Sequence, residues 1–340
     1  MDLKKGSRIA VIGAGISGIA AANILQKNGF VPVVFEKQEK IGGVWATAYP
    51  EVHLQNICTQ YHLSDLDWPF KPDLHPSGEQ IMRYLSEAVQ ALKLDIRLNH
   101  EVIEAKEESD GWGLIYKNET GVHEEAFEYL ILAAGQYTDG KNIPHFLDEE
   151  IFKGQILTER EITSLDVLNG KRVVIVGGKN SAAEAALELH RGGAHVTLVH
   201  RRAALGASIK YWVKPDIENR IAEGSIAARF ESRVVEITPQ GVVVEHRGGR
   251  EMLPADRVFL LTGYHADFAL LAACGLEIDE ASGVPLHDPS TLESTSVPGV
   301  FLAGGVLAGK DTAPIFIENG RFHGERIVKV LAERMRGGKV

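Results

Sequence analysis

The apolar positions of this chain fall into short continuous runs rather than long amphipathic stretches. Ile9–Ile12, Val31–Phe35, Tyr129–Leu132, Val173–Val176, Val196–Val199, Val258–Leu261 and Val300–Ala303 are almost entirely apolar. Runs without polar alternation are expected of strands buried on both faces, as in a parallel sheet covered by helices. Ile19–Asn28 has helical spacing between the first two runs, and Ala182–His190 has it between Val176 and Val196. The order strand, turn, helix, strand therefore occurs twice in the same register. A more alternating section, Ile96–Tyr116, carries the acidic turn Glu107–Gly111 and predicts antiparallel strands. Ala313–Arg334 predicts a closing helix.

The two strand–helix turns carry the candidate chemistry. The first reads Gly13-Ala14-Gly15-Ile16-Ser17-Gly18, and the second reads Gly177-Gly178-Lys179-Asn180-Ser181-Ala182. In the first, Gly13 permits a tight turn, Gly15 lets the backbone approach a pyrophosphate, and Gly18 lets helix and strand pack closely. The free N–H groups of the helix start then face the phosphates. Glu36 ends the next strand eighteen residues beyond Gly18, where a carboxylate accepts the hydroxyls of an adenosine ribose. Eighteen residues beyond Ala182 the second unit has His200, followed by Arg201 and Arg202. A carboxylate there would repel a 2′-phosphate, whereas arginine grips one bidentately, so the second nucleotide is expected to be NADPH rather than NADH. A solvated basic strand end is the other reading of this triplet. Lys179 departs from the fingerprint by standing where a glycine usually admits the pyrophosphate; its ammonium either compensates or hinders.

Composition narrows the partners. The 340 residues suit two α/β domains, and a net charge of −10 argues against nucleic acid or an anionic membrane surface. No apolar run reaches the length of a membrane span, and none reads as a secretory h-region. Two cysteines, Cys58 and Cys274, fit a reducing, cytoplasmic setting better than a disulfide framework. The histidines and cysteines show no metal-ligand spacing, so no metal is expected. A homodimer is the default expectation for the oligomer.

After Glu36 the chain continues through Lys37 to Gly42-Gly43-Val44-Trp45. This Gly-Gly-x-Trp string resembles flavoproteins that bind two dinucleotides, and in particular the flavin-containing monooxygenases. The resemblance implies FAD as the first cofactor. It also implies an α/β fold of tandem Rossmann-type two-dinucleotide-binding domains, in which an NADPH domain is inserted into the FAD domain. The expected boundaries are 1–164 for the first part of the FAD domain, 165–264 for the NADPH domain, and 265–340 for the second part of the FAD domain. Ala134-Gly135 and Gly304-Gly305 end strands that abut the flavin in this architecture, and Val102 joins them as a cofactor-side residue. Tandem flavoproteins usually have Gly-Asp at the last of these strand ends, with the carboxylate on the ribityl chain. With Gly305 there, Asp311 or backbone groups must serve instead.

The monooxygenase likeness extends over residues 1–165. Leu54-Gln-Asn56-Ile-Cys58 through Trp68-Pro69 is similar to the family's stretch around its active-site asparagine. That match makes Asn56 the catalytic and cofactor-contacting candidate; a loop-capping asparagine is the alternative. Gln136-Tyr137 through Asn142-Ile-Pro144 resembles the family's post-strand loop. The linker signature F-x-G-x-x-x-H is only partly met, by Phe152 and Gly154, since Thr158 holds the histidine position.

The second half is similar to a different family, the bacillithiol-disulfide reductases. It carries Gly-Gly-Lys-Asn-Ser-Ala, Ala207-Ser-Ile-Lys210, Gly263-Tyr-His265 and Ile315-Phe-Ile-Glu-Asn-Gly320-Arg-Phe-His-Gly324. That family usually has a cysteine just before the third glycine of its first turn, where this chain has Ser17. Cys58 is then the nearest candidate thiol, with plain packing as the alternative. Both families imply hydride transfer from NADPH to the flavin. The favoured expectation is a monooxygenase that adds O₂ at flavin C4a and oxygenates a small nucleophilic or carbonyl substrate. The alternative is an NADPH-dependent reductase of a low-molecular-weight disulfide, and a flavoprotein dehydrogenase or flavin sensor is a third class.

Overall fold

The computed structural model describes residues 3–48, 52–136, 155–157, 168–311 and 314–337. Tyr137, Asn142, Pro144, Phe152, Gly154 and Thr158, which carry the post-strand loop and linker likenesses, lie outside the described residues. The chain divides into a first unit, Met1–Gly140 with Tyr264–Val340, and a second unit, Lys141–Gly263. The insertion therefore begins earlier than the 164/165 boundary read from the sequence. The short strand Gln155–Leu157 pairs in parallel with Arg257–Leu260, within the second unit's own sheet.

In chain order the first unit begins with β1 (Arg8–Ile12), α1 (Ile16–Lys27), β2 (Val31–Phe35), α2 (Gly78–Leu92) and β3 (Asp95–Arg97). It continues with β4 (Glu101–Glu108), β5 (Gly111–Asn118), β6 (Gly121–Phe127) and β7 (Tyr129–Leu132). The second unit holds β8 (Gln155–Leu157), β9 (Arg172–Val176), α3 (Asn180–Arg191), β10 (His195–Val199) and α4 (Lys214–Ala222). It closes with β11 (Ala227–Arg229), β12 (Arg233–Thr238), β13 (Gly241–His246), β14 (Gly249–Pro254) and β15 (Arg257–Leu260). The chain then returns to the first unit with α5 (Phe268–Ala273), β16 (Val300–Leu302), α6 (Ile317–Gly320) and α7 (His323–Met335).

Among the described residues each unit is built on a five-stranded sheet with a three-stranded antiparallel sheet beside it in sequence. The first has the order β16-β7-β1-β2-β3 and the second β11-β10-β9-β15-β8, and every pairing in both is parallel. Ile9, Val11, Val34, Leu130, Ile131 and Leu132 are fully buried, as continuous apolar runs in a covered parallel sheet require. β4-β5-β6 and β12-β13-β14 are the antiparallel sheets, and the acidic turn at 107–111 joins β4 to β5. The crossing of β1 through α1 to β2 is fixed by a close approach at Gly18. A Cβ there would collide with the carbonyl oxygen of Gly13 and lie 3.4 Å from Cβ of Ala133.

The closing helix differs from the expected Ala313–Arg334. It is two helices, α6 and α7, separated at Arg321 and Phe322. Arg321 is buried and donates from Nη1 to the carbonyl oxygens of His62 (2.5 Å) and Thr59 (3.4 Å). Gly320 passes so close to Ser17 that its Oγ would lie 2.9 Å from an added Cβ. α7 begins with buried His323, whose Nδ1 accepts from the N–H of Gly304 at 2.9 Å. That bond fixes Gly304 in its left-handed conformation (φ 71°) at the end of β16. Burial lowers the His323 pKa to about 4, with Arg326 and His287 adding to the effect.

Two outcomes are expected. Gly18→Ala should lower the stability of the first unit by about 1–3 kcal/mol through overpacking of α1 against β1, read from urea denaturation midpoints. The unfolded chain protonates a histidine at the ordinary value of 6.5, above the folded value. The stability conferred by neutral His323 is therefore complete above about pH 6.5 and is lost as pH falls through about 4. Urea midpoints should decline across that window, and His323→Gln, which keeps an acceptor without titrating, should flatten the decline.

Candidate functional site

In the first unit the turn after β1, the end of β2 and the loop before the 3₁₀ turn Gly43–Thr47 surround one cavity. It encloses about 1200 Å³ of empty space, solvent at its mouth included. Gly13, Gly15, Ile16, Ser17, Glu36, Lys37, Gly43, Val44, Trp45, Val102, Ala134, Gly135 and Gly305 all line it. Residues read from widely separated parts of the sequence are thus brought to one wall.

The geometry suits a dinucleotide. α1 begins at Ile16, three residues earlier than its spacing suggested, so that its N-terminal backbone groups open on the cavity. A Cβ at Gly15 would meet nothing within 4 Å; it would project into the space where a pyrophosphate must approach the backbone. Gly43 comes within 3.4 Å (added Cβ to Gly15 Cα) on the opposite loop, and the Gly42 N–H donates to Ala14 O at 2.8 Å. Glu36 is 6% exposed. Its carboxylate accepts from the backbone N–H of Ala14 (2.8 Å) and of Gln38 (2.9 Å), which orients it at the β2 end of the cavity. Ala14, Gly18 and Gly304 stand behind this wall and shape it without lining it.

Asn56 does not line the cavity. Its Nδ2 donates to Glu318 Oε1 at 2.6 Å, and its backbone N–H donates to the Tyr61 hydroxyl at 2.7 Å. Tyr61 in turn donates to the same Glu318 oxygen at 3.1 Å, and burial raises its pKa. Asn56 therefore belongs to a hydrogen-bonded cluster beside Ile317 and Phe316, which do line the cavity. Cys58 is half-buried, accepts at its carbonyl from Trp68 Nε1 (3.0 Å), and does not line the cavity. Cys274 is fully buried and its thiol is pushed up to about 12 by burial, with Asp267 and Glu104 adding to it. Asp311 is exposed and is not among the lining residues. Gln136, which opens the post-strand-loop likeness, lines the cavity, as do His100 and Asp267, which no sequence motif marks. Their approach depends on pairings distant along the chain, and only the position of Gln136 directly after Gly135 hints at it.

In the second unit the β9 turn is built differently. Gly177 packs against Ala182, where an added Cβ would lie 2.9 Å from the alanine Cβ. At Gly178 an added Cβ would lie 2.5 Å from Cγ of His200, so the histidine ring, not open space, covers this glycine. Lys179 is the exposed N-cap of α3, and Ser181 and Ala182 follow in its first turn. Asn180 ties down the segment that crosses the turn: Nδ2 donates to Ser208 O (3.2 Å) and Oδ1 accepts from Lys210 N–H (2.9 Å). Lys210 also pairs with Glu184. Burial lowers the His200 pKa, with Arg202 and Arg201 adding to the effect. Arg201 and Arg202 are exposed just beyond the end of β10.

No helix among the described residues is long and apolar enough to cross a membrane. Residues 10–304 match the model of the pyridine nucleotide-disulphide oxidoreductase family. The chain is 33% identical over 327 residues to bacilliredoxin reductase Bdr of Bacillus subtilis, covering 95% of this chain and 97% of that one. It superposes on the bacillithiol disulfide reductase Bdr of Bacillus cereus with a TM-score of 0.88, at 30% identity, over 97% of this chain and 99% of the other. It is also 32% identical over 221 residues to a putative flavin-containing monooxygenase 2 of Arabidopsis thaliana, over 55% of this chain and 48% of that protein. The fold, the glycine turns and these matches agree: the chain belongs to the pyridine nucleotide-disulphide oxidoreductase family, and it is a flavin-dependent oxidoreductase whose cofactors are FAD and NADPH.

Proposed function

We propose that this protein is an NADPH-dependent flavoprotein reductase of a low-molecular-weight or redoxin-borne disulfide of the bacillithiol type. The observation that carries this is the end-to-end likeness to a disulfide reductase, 95% of one chain on 97% of the other. The 32% identity to a putative flavin-containing monooxygenase spans about half of that protein's length, and the end-to-end superposition on a flavin-containing monooxygenase, at 23% identity and a TM-score of 0.76, speaks for the fold alone. This reading therefore replaces the monooxygenase as the first choice.

FAD would lie in the first-unit cavity, with its pyrophosphate at Gly13–Gly18 and its adenosine ribose on Glu36. NADPH would bind the second unit at 177–182, with its 2′-phosphate on Arg201 and Arg202. When bound, the flavin supplies the two-electron relay from nicotinamide to acceptor. The balance is one NADPH, one proton and one disulfide giving NADP⁺ and two thiols. Among the described residues no cysteine lines the cavity, and Ser17 sits wedged at Gly304 and Gly320 in the place where the related reductases carry a thiol. A serine hydroxyl cannot form a mixed disulfide, and a thiol held protonated as Cys274 is cannot attack one. The acceptor disulfide is therefore reduced without a protein thiol in the relay. Two free cysteines, rather than a disulfide, suit work in a reducing cytoplasm.

A monooxygenase remains the second reading, favoured by that same lack of a cavity thiol and by the Asn56–Glu318 cluster next to Phe316 and Ile317. Anaerobic NADPH oxidation decides between them. The reductase should consume NADPH only when bacillithiol disulfide or an oxidised bacilliredoxin is added, with two thiols released per NADPH, and Cys58→Ser should leave this rate unchanged. Consumption that instead requires O₂ and yields an oxygenated sulfide or amine would establish the monooxygenase. The nucleotide preference is tested separately. Arg201→Ala with Arg202→Ala should weaken NADPH by about 1.5–3 kcal/mol for each charge-assisted hydrogen bond removed and leave NADH nearly unchanged. Equal weakening of both would refute the 2′-phosphate assignment.

A further inference from the structure

Beside the first glycine turn, the residues that follow β7 and β16 lie next to each other, and their side chains are complementary. Position 305 is glycine. A Cβ there would lie 3.0 Å from Cγ of Gln136, 3.2 Å from its backbone nitrogen and 3.3 Å from its Cδ. The room that a side chain at 305 would need is thus already filled by the glutamine from the neighbouring strand end. Gln136 is 2% exposed and lines the cavity together with Gly135, Gly305, Ser17 and Ile315. In this stretch of wall the glycines and Ile315 contribute only backbone polar groups, and Ser17 a hydroxyl. A carboxamide adds two donors and an acceptor without adding charge.

The geometry points to Gln136 as the side chain that orients the polyhydroxyl ribityl chain of the flavin, a neutral substitute for the carboxylate expected at position 305. The inference rests on the placement of FAD in this cavity and adds to it a residue and a sign of charge. Two consequences follow. Positions 136 and 305 are exchangeable as a pair but not singly, because one side chain occupies the volume the other would need. The wall beside the ribityl chain is also uncharged, so a carboxylate introduced at 136 would disfavour added electrons on the flavin.

The test compares wild type with Gln136→Ala, Gly305→Asp and the double variant Gly305→Asp/Gln136→Gly. FAD affinity is measured by equilibrium dialysis, the flavin environment by the visible spectrum, and folding by thermal melts and by binding of 2′,5′-ADP. Gln136→Ala is expected to weaken FAD by about tenfold, the scale of one hydrogen bond to the ligand. Gly305→Asp should weaken it at least as much, and the double variant should return to within about threefold of wild type. Binding of 2′,5′-ADP should be unchanged throughout. Wild-type FAD affinity and spectrum in Gln136→Ala would overturn the inference, as would a folded double variant no better than Gly305→Asp. If Gly305→Asp fails to fold, the Gln136→Ala arm decides alone. A wild-type protein that takes up no flavin would overturn the cavity assignment itself and is distinguished at the first measurement. Gln136→Glu should lower the flavin midpoint potential, and an unchanged or raised potential would count against the charge argument.

Discussion

The carbonyl oxygen of Gly13 occupies the place where a side chain at residue 18 would begin. This contact sets how closely α1 lies on β1, and the rest of the first unit's chemistry follows from it. With the helix pressed against the turn, its first backbone N–H groups open on the cavity, and Gly15 leaves a clear approach to them. The same packing brings the Ala14 nitrogen to 2.8 Å from the Glu36 carboxylate, so that carboxylate is oriented by the glycine turn itself. Residues that look like separate motifs along the chain are one mechanical assembly.

That assembly is largely legible in the sequence. Two equal spacings, from Gly18 to Glu36 and from Ala182 to His200, mark two strand–helix–strand units, and the structure contains both. The departures have a common cause. The closing helix breaks at Arg321 because a guanidinium is drawn to carbonyls of Thr59 and His62, far away in sequence. The insertion starts early because Gln155–Leu157 finds its partner at Arg257–Leu260. Likeness alone makes Asn56 a cofactor-contacting candidate; its side chain is bonded to Glu318 and does not line the cavity. In each case the deciding contact joins residues that no local pattern connects. α2 is the opposite case. Its Ser77–Gln80 capping box and its buried Ile81, Tyr84, Leu85 and Ala88 follow ordinary helical rules, so this helix, absent from the expectations above, carries its own signal in the sequence.

The two chemistries suggested for this fold differ less in architecture than in sulfur. Both need a nicotinamide, a flavin and a dry meeting place. A thiol in the first turn would commit the protein to exchange with a disulfide, and Ser17 withholds that commitment. The end-to-end likeness to a disulfide reductase and the missing cavity thiol therefore pull in different directions. They are reconciled if the acceptor meets the flavin without a covalent partner on the protein.

The strand order of the first sheet also bears on how the chain is made. β16 pairs with β7, yet the whole second unit is synthesised between them. While the ribosome extends through the insertion, β7 presents an open edge of unpaired backbone groups, and α1 lacks the helix α7 whose Gly324 packs against Ala21. The inserted lobe, complete in one continuous stretch, can fold first, leaving its host unfinished until the last strand and helix emerge. Premature termination late in translation would thus leave a well-formed nucleotide module attached to an aggregation-prone remnant.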